Sequence, residues 1–131
     1  MELTFLQSKL HRACVTQTEV EYDGSCALDS ELISAAGIRE YQQIEIYNLR
    51  DGDRFTTYAI KAEAGSRTVS LNGAAAYRGR VGDRIIICAY AHLSEAEVET
   101  HKPTLVYLDE DNRIIKINSD IAYPHLSAMP D

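Results

Sequence analysis

Apolar runs too short for ordinary helices alternate along this chain with residue pairs that reverse a backbone. The pairs are Asp51-Gly52, Ala64-Gly65, Asn72-Gly73, Gly82-Asp83 and Asp111-Asn112. Gly and Asn enter the left-handed region that tight turns need, and the intervals between the pairs suit strands of about five to ten residues. Leu3 and Phe5 alternate with polar neighbours, as do Ile44 and Ile46. Residues 10–15, 55–60, 68–71, 84–90, 104–108 and 113–117 complete the predicted strands. Residues 84–88 (Arg-Ile-Ile-Ile-Cys) lack polar alternation after the arginine, so that strand is expected to be buried on both faces. Two short helices interrupt the set. Asp29 caps residues 30–36, which Gly37 terminates, and Ser94 with Glu97 forms a capping box before a turn of helix near residue 100. Many short strands with one or two helices give a mainly β fold, a small mixed barrel.

The 131 residues are expected to form one domain over 1–118, and the proline-bearing segment 119–131 a flexible tail. Apolar residues make up 45% and charged residues 25%, the balance of a globular protein with its own core. A net charge of −7 with no basic run argues against nucleic acid as a partner. No stretch approaches the roughly 18 apolar residues of a membrane span, and the first residues do not read as a signal peptide. The expectation is therefore a cytoplasmic protein without a membrane partner. Three separated cysteines with no Cys-x-x-Cys fit a reducing compartment. Four histidines without paired ligand spacing point to no metal.

Tyr22-Asp23-Gly24-Ser25 reads at first as a turn between strands. A Gly-Ser bond also has a chemistry of its own. The serine hydroxyl can attack the glycine carbonyl through a five-membered ring, and glycine leaves that approach unhindered. The amide becomes an ester. Loss of the serine α-proton then expels the carboxylate and leaves dehydroalanine, which water converts to a ketone with release of ammonia. The dipeptide alone does not select this reading.

Its surroundings do. Lys9-Leu10-His11-Arg12, Tyr22-Asp23-Gly24-Ser25-Cys26-Ala27, Arg54-Phe55-Thr56-Thr57-Tyr58-Ala59-Ile60 and Asn72-Gly73-Ala74-Ala75-Ala76 follow one another in that order. Together, from about Leu6 to about Asp111, the chain resembles the pyruvoyl-dependent aspartate 1-decarboxylases, many of which carry Glu where this chain has Asp23. The resemblance implies a double-psi β-barrel and a homotetramer with active sites at subunit boundaries. It implies decarboxylation of L-aspartate to β-alanine for pantothenate and coenzyme A synthesis. The cofactor would be a pyruvoyl group made from Ser25, which would take the substrate amine as a Schiff base, with neither metal nor pyridoxal phosphate. A maturation factor is a candidate further partner.

The resemblance also assigns roles. Gly24 and Ser25 form the cleavage junction, and Thr57 hydrogen bonds the Gly24 carbonyl as charge develops there. Lys9 and Arg54 supply fixed cations for the substrate carboxylates. His11, two residues from Lys9 and on the same strand face, positions water or substrate or is a structural histidine. Tyr58 is the expected proton donor after decarboxylation, since a phenol keeps its proton at neutral pH and can give it to a strong base. On a regular strand Thr57 and Tyr58 face opposite ways, so either a bulge or two separate jobs is required. Asn72, Gly73, Ala74 and Ala75 are read as substrate-binding; otherwise Asn72-Gly73 is a type I′ hairpin turn. Tyr22 faces the pocket or packs. Cys26 lies on the wrong side of the scissile bond to act as nucleophile. Two other readings stand beside this one: a pyruvoyl decarboxylase of another small acidic amino acid, and an unprocessed barrel that only binds or assembles.

Overall fold

A computed structural model describes residues 1–121. The expected tail therefore lies, from residue 122 onward, outside the described residues. Nine strands, β1 (Glu2–Cys14), β2 (Gln17–Glu19), β3 (Ser25–Asp29), β4 (Gln43–Asn48), β5 (Arg54–Ala62), β6 (Val69–Asn72), β7 (Arg84–Ser94), β8 (Thr104–Leu108) and β9 (Ile114–Asn118), form a mixed sheet in the order β2-β6-β3-β5-β4-β7-β1-β8-β9. The helices are α1 (Ser30–Ala36), a 3₁₀ segment (Gly73–Arg78) and α2 (Glu95–Val98).

The connection from β1 to β2 dictates the curvature. In the sheet order these strands are six places apart, about 29 Å on the flat at roughly 4.8 Å per strand. In sequence only Val15 and Thr16 separate them, and three Cα steps reach about 11 Å. The sheet must curl on itself, and Thr16 N–H donating to the Val69 carbonyl at 2.8 Å marks the seam. The fold is the mainly β barrel with few short helices that the sequence predicts.

Inward positions alternate along β4, β5 and the start of β7, whereas β6 is buried throughout and β9 exposed throughout. Leu10, Leu28, Ile44, Ile46, Leu71, Ile85, Ile87 and Val106 have almost no exposed surface and share one core. The expectation for residues 84–88 needs correction. Ile85, Ile87 and Ala89 are at 0% exposure, but Ile86 and Arg84 are half-buried. β7 therefore has a filled inner face and an outer face that is buried at Cys88 but only half-covered at Arg84 and Ile86. The two N-terminal runs are one long strand, β1, with pairing irregularities between Leu6 and Ser8 and between Leu10 and Ala13.

Both predicted helices are present with their caps. Gly37 closes α1 in the left-handed conformation, and Ser94 and Glu97 exchange both capping-box bonds at α2. Asp29 does more than cap. Its buried carboxylate accepts from Glu31 N–H at 2.8 Å, Gly65 N–H at 3.1 Å and Arg67 N–H at 2.7 Å, so it ties the end of β3 to the β5–β6 loop. Asp29→Ala would orphan three donors at once. We expect a loss of about 3 kcal/mol or more, read as a lower urea midpoint with unchanged slope. Asn112, the second residue of a predicted turn, makes a similar bracket. With φ at 61° it accepts from Cys14 N–H at 2.7 Å and donates to the carbonyls of Cys14 at 2.9 Å and Arg67 at 3.0 Å.

Candidate active site

Ser25 opens β3 and pairs across the sheet with Asn72, the last residue of β6. Both are buried. Ser25 Oγ donates to the Asp23 carbonyl at 3.2 Å and accepts from Asn72 Nδ2 at 3.2 Å. Asn72 Oδ1 in turn accepts from Ser70 Oγ at 2.7 Å. The Ser70 bond fixes which end of the amide faces Ser25, so the amide N–H is aimed at the serine oxygen. Oγ is thereby held to the carbonyl of Asp23, two residues before its own, with Gly24 between them. No titratable side chain hydrogen bonds Ser25 among the described residues.

Asn72-Gly73 is not a hairpin turn. β6 runs directly into the 3₁₀ segment, and the Asn72 side chain turns to Ser25 instead of capping it. Gly73 has φ +62°, and a Cβ there would lie 2.6 Å from Gly24 Cα and 2.7 Å from Gly24 N. The backbone at Gly73 thus presses on the residue at the predicted scissile bond, and a side chain would push it away. Ala75 is buried beneath, while Gly24 and Ala74 are exposed. Cys26 is fully buried, and burial pushes its thiol up to about 12, which suits its rejection as a nucleophile.

β5 lies next to β3, with Ala59 opposite Cys26 in parallel register, so Thr57 falls level with Gly24 and Tyr58 level with Ser25. The β4–β5 pairing from Gln43/Tyr58 to Tyr47/Arg54 has no bulge. Thr57 therefore shares the inner face with Phe55 and Ala59, and Tyr58 the outer face with Arg54 and Thr56. Tyr58 stands 36% exposed on a recess of 570 Å³ that it forms with Tyr41, Gln43, Thr56 and Thr57. Tyr22 is exposed beside the junction.

The cations lie further along the same outer surface. One cross-strand row runs Lys9 (β1), Cys88 (β7), Glu45 (β4), Thr56 (β5). It places the Lys9 and Thr56 backbones three strands, about 14 Å, apart. Glu45 accepts a hydrogen bond from the Thr56 hydroxyl. The Arg54 guanidinium stacks on the Tyr47 ring, 4.2 Å from its centroid. Among the described residues neither Lys9 nor Arg54 has a carboxylate within ion-pair distance, a state they share with most of the chain's basic side chains. Lys9 and His11 share a face, as the strand period requires, between buried Ser8 and Leu10. Burial, then the charges of Lys9, Arg12 and Arg84, hold the His11 imidazole below its ordinary value. Its ring packs edge-on to Tyr107, centroids 5.3 Å apart, and Nδ1 is buried without a partner.

The structure gathers Gly24, Ser25, Asn72 and Gly73 into one junction, with Thr57 and Tyr58 on the neighbouring strand. It does not bring Lys9 to them. β1 is four strands along from β3 in the sheet order, and Lys9 lies on the outer face. Ser70, Tyr47, Glu45 and Tyr90 were not singled out in the sequence. Tyr47 and Glu45 alternate with Ile44 and Ile46, but only the register shows that they share a face with Lys9 and Arg54.

The model of the aspartate decarboxylase family matches residues 1–115. The chain belongs to this family. It is 60% identical to an aspartate 1-decarboxylase of Thioalkalivibrio sulfidiphilus over 121 residues, covering 92% of this chain and 96% of the relative. It is 61% identical to an aspartate 1-decarboxylase of Alkalilimnicola ehrlichii over 114 residues, 87% and 90% of the two chains. The corresponding Pseudomonas aeruginosa protein is 55% identical over the same shares. Family membership explains why the motifs occur in their order. No group of three or more His, Cys, Asp or Glu side chains converges among the described residues, and none of their helices is long and apolar enough to cross a membrane.

Proposed function

We propose that this chain cleaves itself between Gly24 and Ser25 and then decarboxylates L-aspartate to β-alanine. The observation that carries the reading is the junction: a serine hydroxyl oriented by Asn72, beside an exposed glycine on which Gly73 closes backbone to backbone. A scaffold strand needs none of these features at its first residue. The names of the relatives support the choice of substrate.

In the maturation step Ser25 Oγ adds to the Gly24 carbonyl carbon, and the hydroxyl proton passes to the departing amide nitrogen. Thr57, level with Gly24 on β5, donates to the carbonyl oxygen as it becomes an oxyanion. The pyruvoyl group left at position 25 supplies a carbonyl for the substrate amine and a sink for the electrons of the broken carbon–carbon bond. The remaining work belongs to side chains. Arg54, resting on Tyr47, offers two parallel donors to one carboxylate; Lys9 offers a compact charge to the other. Tyr58, on the outer face level with Ser25, gives a proton to the carbon that lost its carboxyl. Asn72, Gly73, Ala74 and Ala75 line the substrate beside the junction, and His11 orders water near Lys9.

Lys9 lies four strands from Ser25 in the sheet order and on the outer face, and a neighbouring copy would complete each site. This supports a homotetramer with sites at its boundaries, as does the exposure of Tyr22 at 61% and Tyr77 at 76%. We place the enzyme in the cytoplasm, supplying β-alanine for pantothenate, and a maturation factor would act at the junction, where Ser25 lacks a base. Side-by-side turnover of aspartate and glutamate tests the substrate: aspartate should be consumed and glutamate spared. Comparable rates with both would favour a broader acidic amino acid decarboxylase. Thr57→Val tests maturation. Loss of one oxyanion donor should slow cleavage by about a hundred- to a thousandfold, followed by pulse-chase on a gel. Cleavage at the wild-type rate would make Thr57 a packing residue.

A further inference from the structure

Two tyrosines that the reaction does not use stand behind Arg54. Tyr47 lies opposite Arg54 in the β4–β5 ladder and carries the guanidinium 4.2 Å above its ring. The Tyr47 hydroxyl is 2.7 Å from the Tyr90 hydroxyl, which projects from the adjacent strand β7. Tyr47 is itself partly exposed and Tyr90 is 39% exposed, so neither ring is held by burial alone. With no carboxylate partner, Arg54 takes its orientation from the Tyr47 face, and Tyr47 takes its own from Tyr90.

We infer that Tyr90, through its hydrogen bond to Tyr47, is a positioning residue that holds the Arg54 guanidinium where it meets the substrate carboxylate. The inference rests on the reading that Arg54 binds a carboxylate. A long arginine side chain loses rotamer freedom when it grips a ligand, and a preset aromatic face removes part of that loss before binding. The effect is on affinity rather than on the chemical step, because neither tyrosine reaches the reacting carbon in this scheme.

The test uses fully cleaved enzyme and two readouts: steady-state kinetics with aspartate and direct binding of succinate, a dicarboxylate that lacks the amine. Tyr90→Phe should raise KM and weaken succinate binding by about threefold to tenfold, the range of one neutral hydrogen bond, with kcat within about twofold of wild type. Tyr47→Phe removes the same bond from its other end and should match it, and the double variant should be no worse than either single one. Tyr47→Leu should be more severe, and Tyr47→Trp, which keeps an aromatic face, should restore most of that loss. Wild-type KM and succinate affinity in both Phe variants would overturn the inference, as would additive effects in the double variant. Arg54→Ala separates the inference from the reading beneath it. If Arg54→Ala abolishes succinate binding while both Phe variants are silent, the positioning role alone fails. If Arg54→Ala also leaves succinate binding intact, Arg54 is not the carboxylate ligand and the positioning role falls with it.

Discussion

Tyr58→Phe should still yield both cleaved chains yet release β-alanine about a hundred- to ten-thousandfold more slowly than wild type, the worth of a positioned proton donor. The substitution keeps the ring against Gln43 and Thr56 and removes only the hydroxyl. Self-cleavage in this account uses Thr57, on the opposite face of β5, and no proton from Tyr58. Capture of the substrate amine and both cations are untouched as well. Borohydride treatment should therefore still fix labelled aspartate carbon to the larger chain while product formation falls. Near-normal β-alanine release by fully cleaved Tyr58→Phe would transfer the proton to water or another hydroxyl.

Ser25→Ala should give a folded, uncleaved and inactive protein. The buried hydroxyl exchanges hydrogen bonds only with Asp23 and Asn72, so its loss leaves one amide N–H without its acceptor and costs about 1–3 kcal/mol of stability. The barrel core of Leu28, Ile44 and Ile87 is not involved. A Ser25→Ala chain that still split at the same bond would rule out attack by the hydroxyl.

How far the residues foretold this depends on the range of each interaction. Alternation and turn pairs located most strands, because those signals are local: Asn112 and the turn glycines carry positive φ at the predicted reversals. The caps at Asp29 and Ser94 are equally local and were legible. Two strands were not. β2 has only three residues, and β3, Ser25–Asp29, reads Ser-Cys-Ala-Leu-Asp with neither a β-branched nor an aromatic residue; β3 exists because β5 and β6 flank it. Asn72-Gly73 misleads for a related reason. The pair suits a hairpin, but the contact between Gly73 and Gly24 is a tertiary one that requires a glycine for another purpose. At the site, the junction and the positions of Thr57 and Tyr58 on opposite faces follow from sequence. The outer-face row joining Lys9, Cys88, Glu45 and Thr56 depends on the register of four strands, which no single segment encodes. The Tyr47–Tyr90 pair, 43 residues apart, was invisible for the same cause.

The central claim is that the Gly24–Ser25 bond breaks and leaves a ketone. Intact-mass measurement of the purified protein under denaturing conditions tests it most directly. The account predicts two chains, residues 1–24 and the 107 residues from 25 to 131, whose masses together equal that of the uncleaved chain with one water gained and one ammonia lost. A single 131-residue species in protein that actively produces β-alanine would contradict the account.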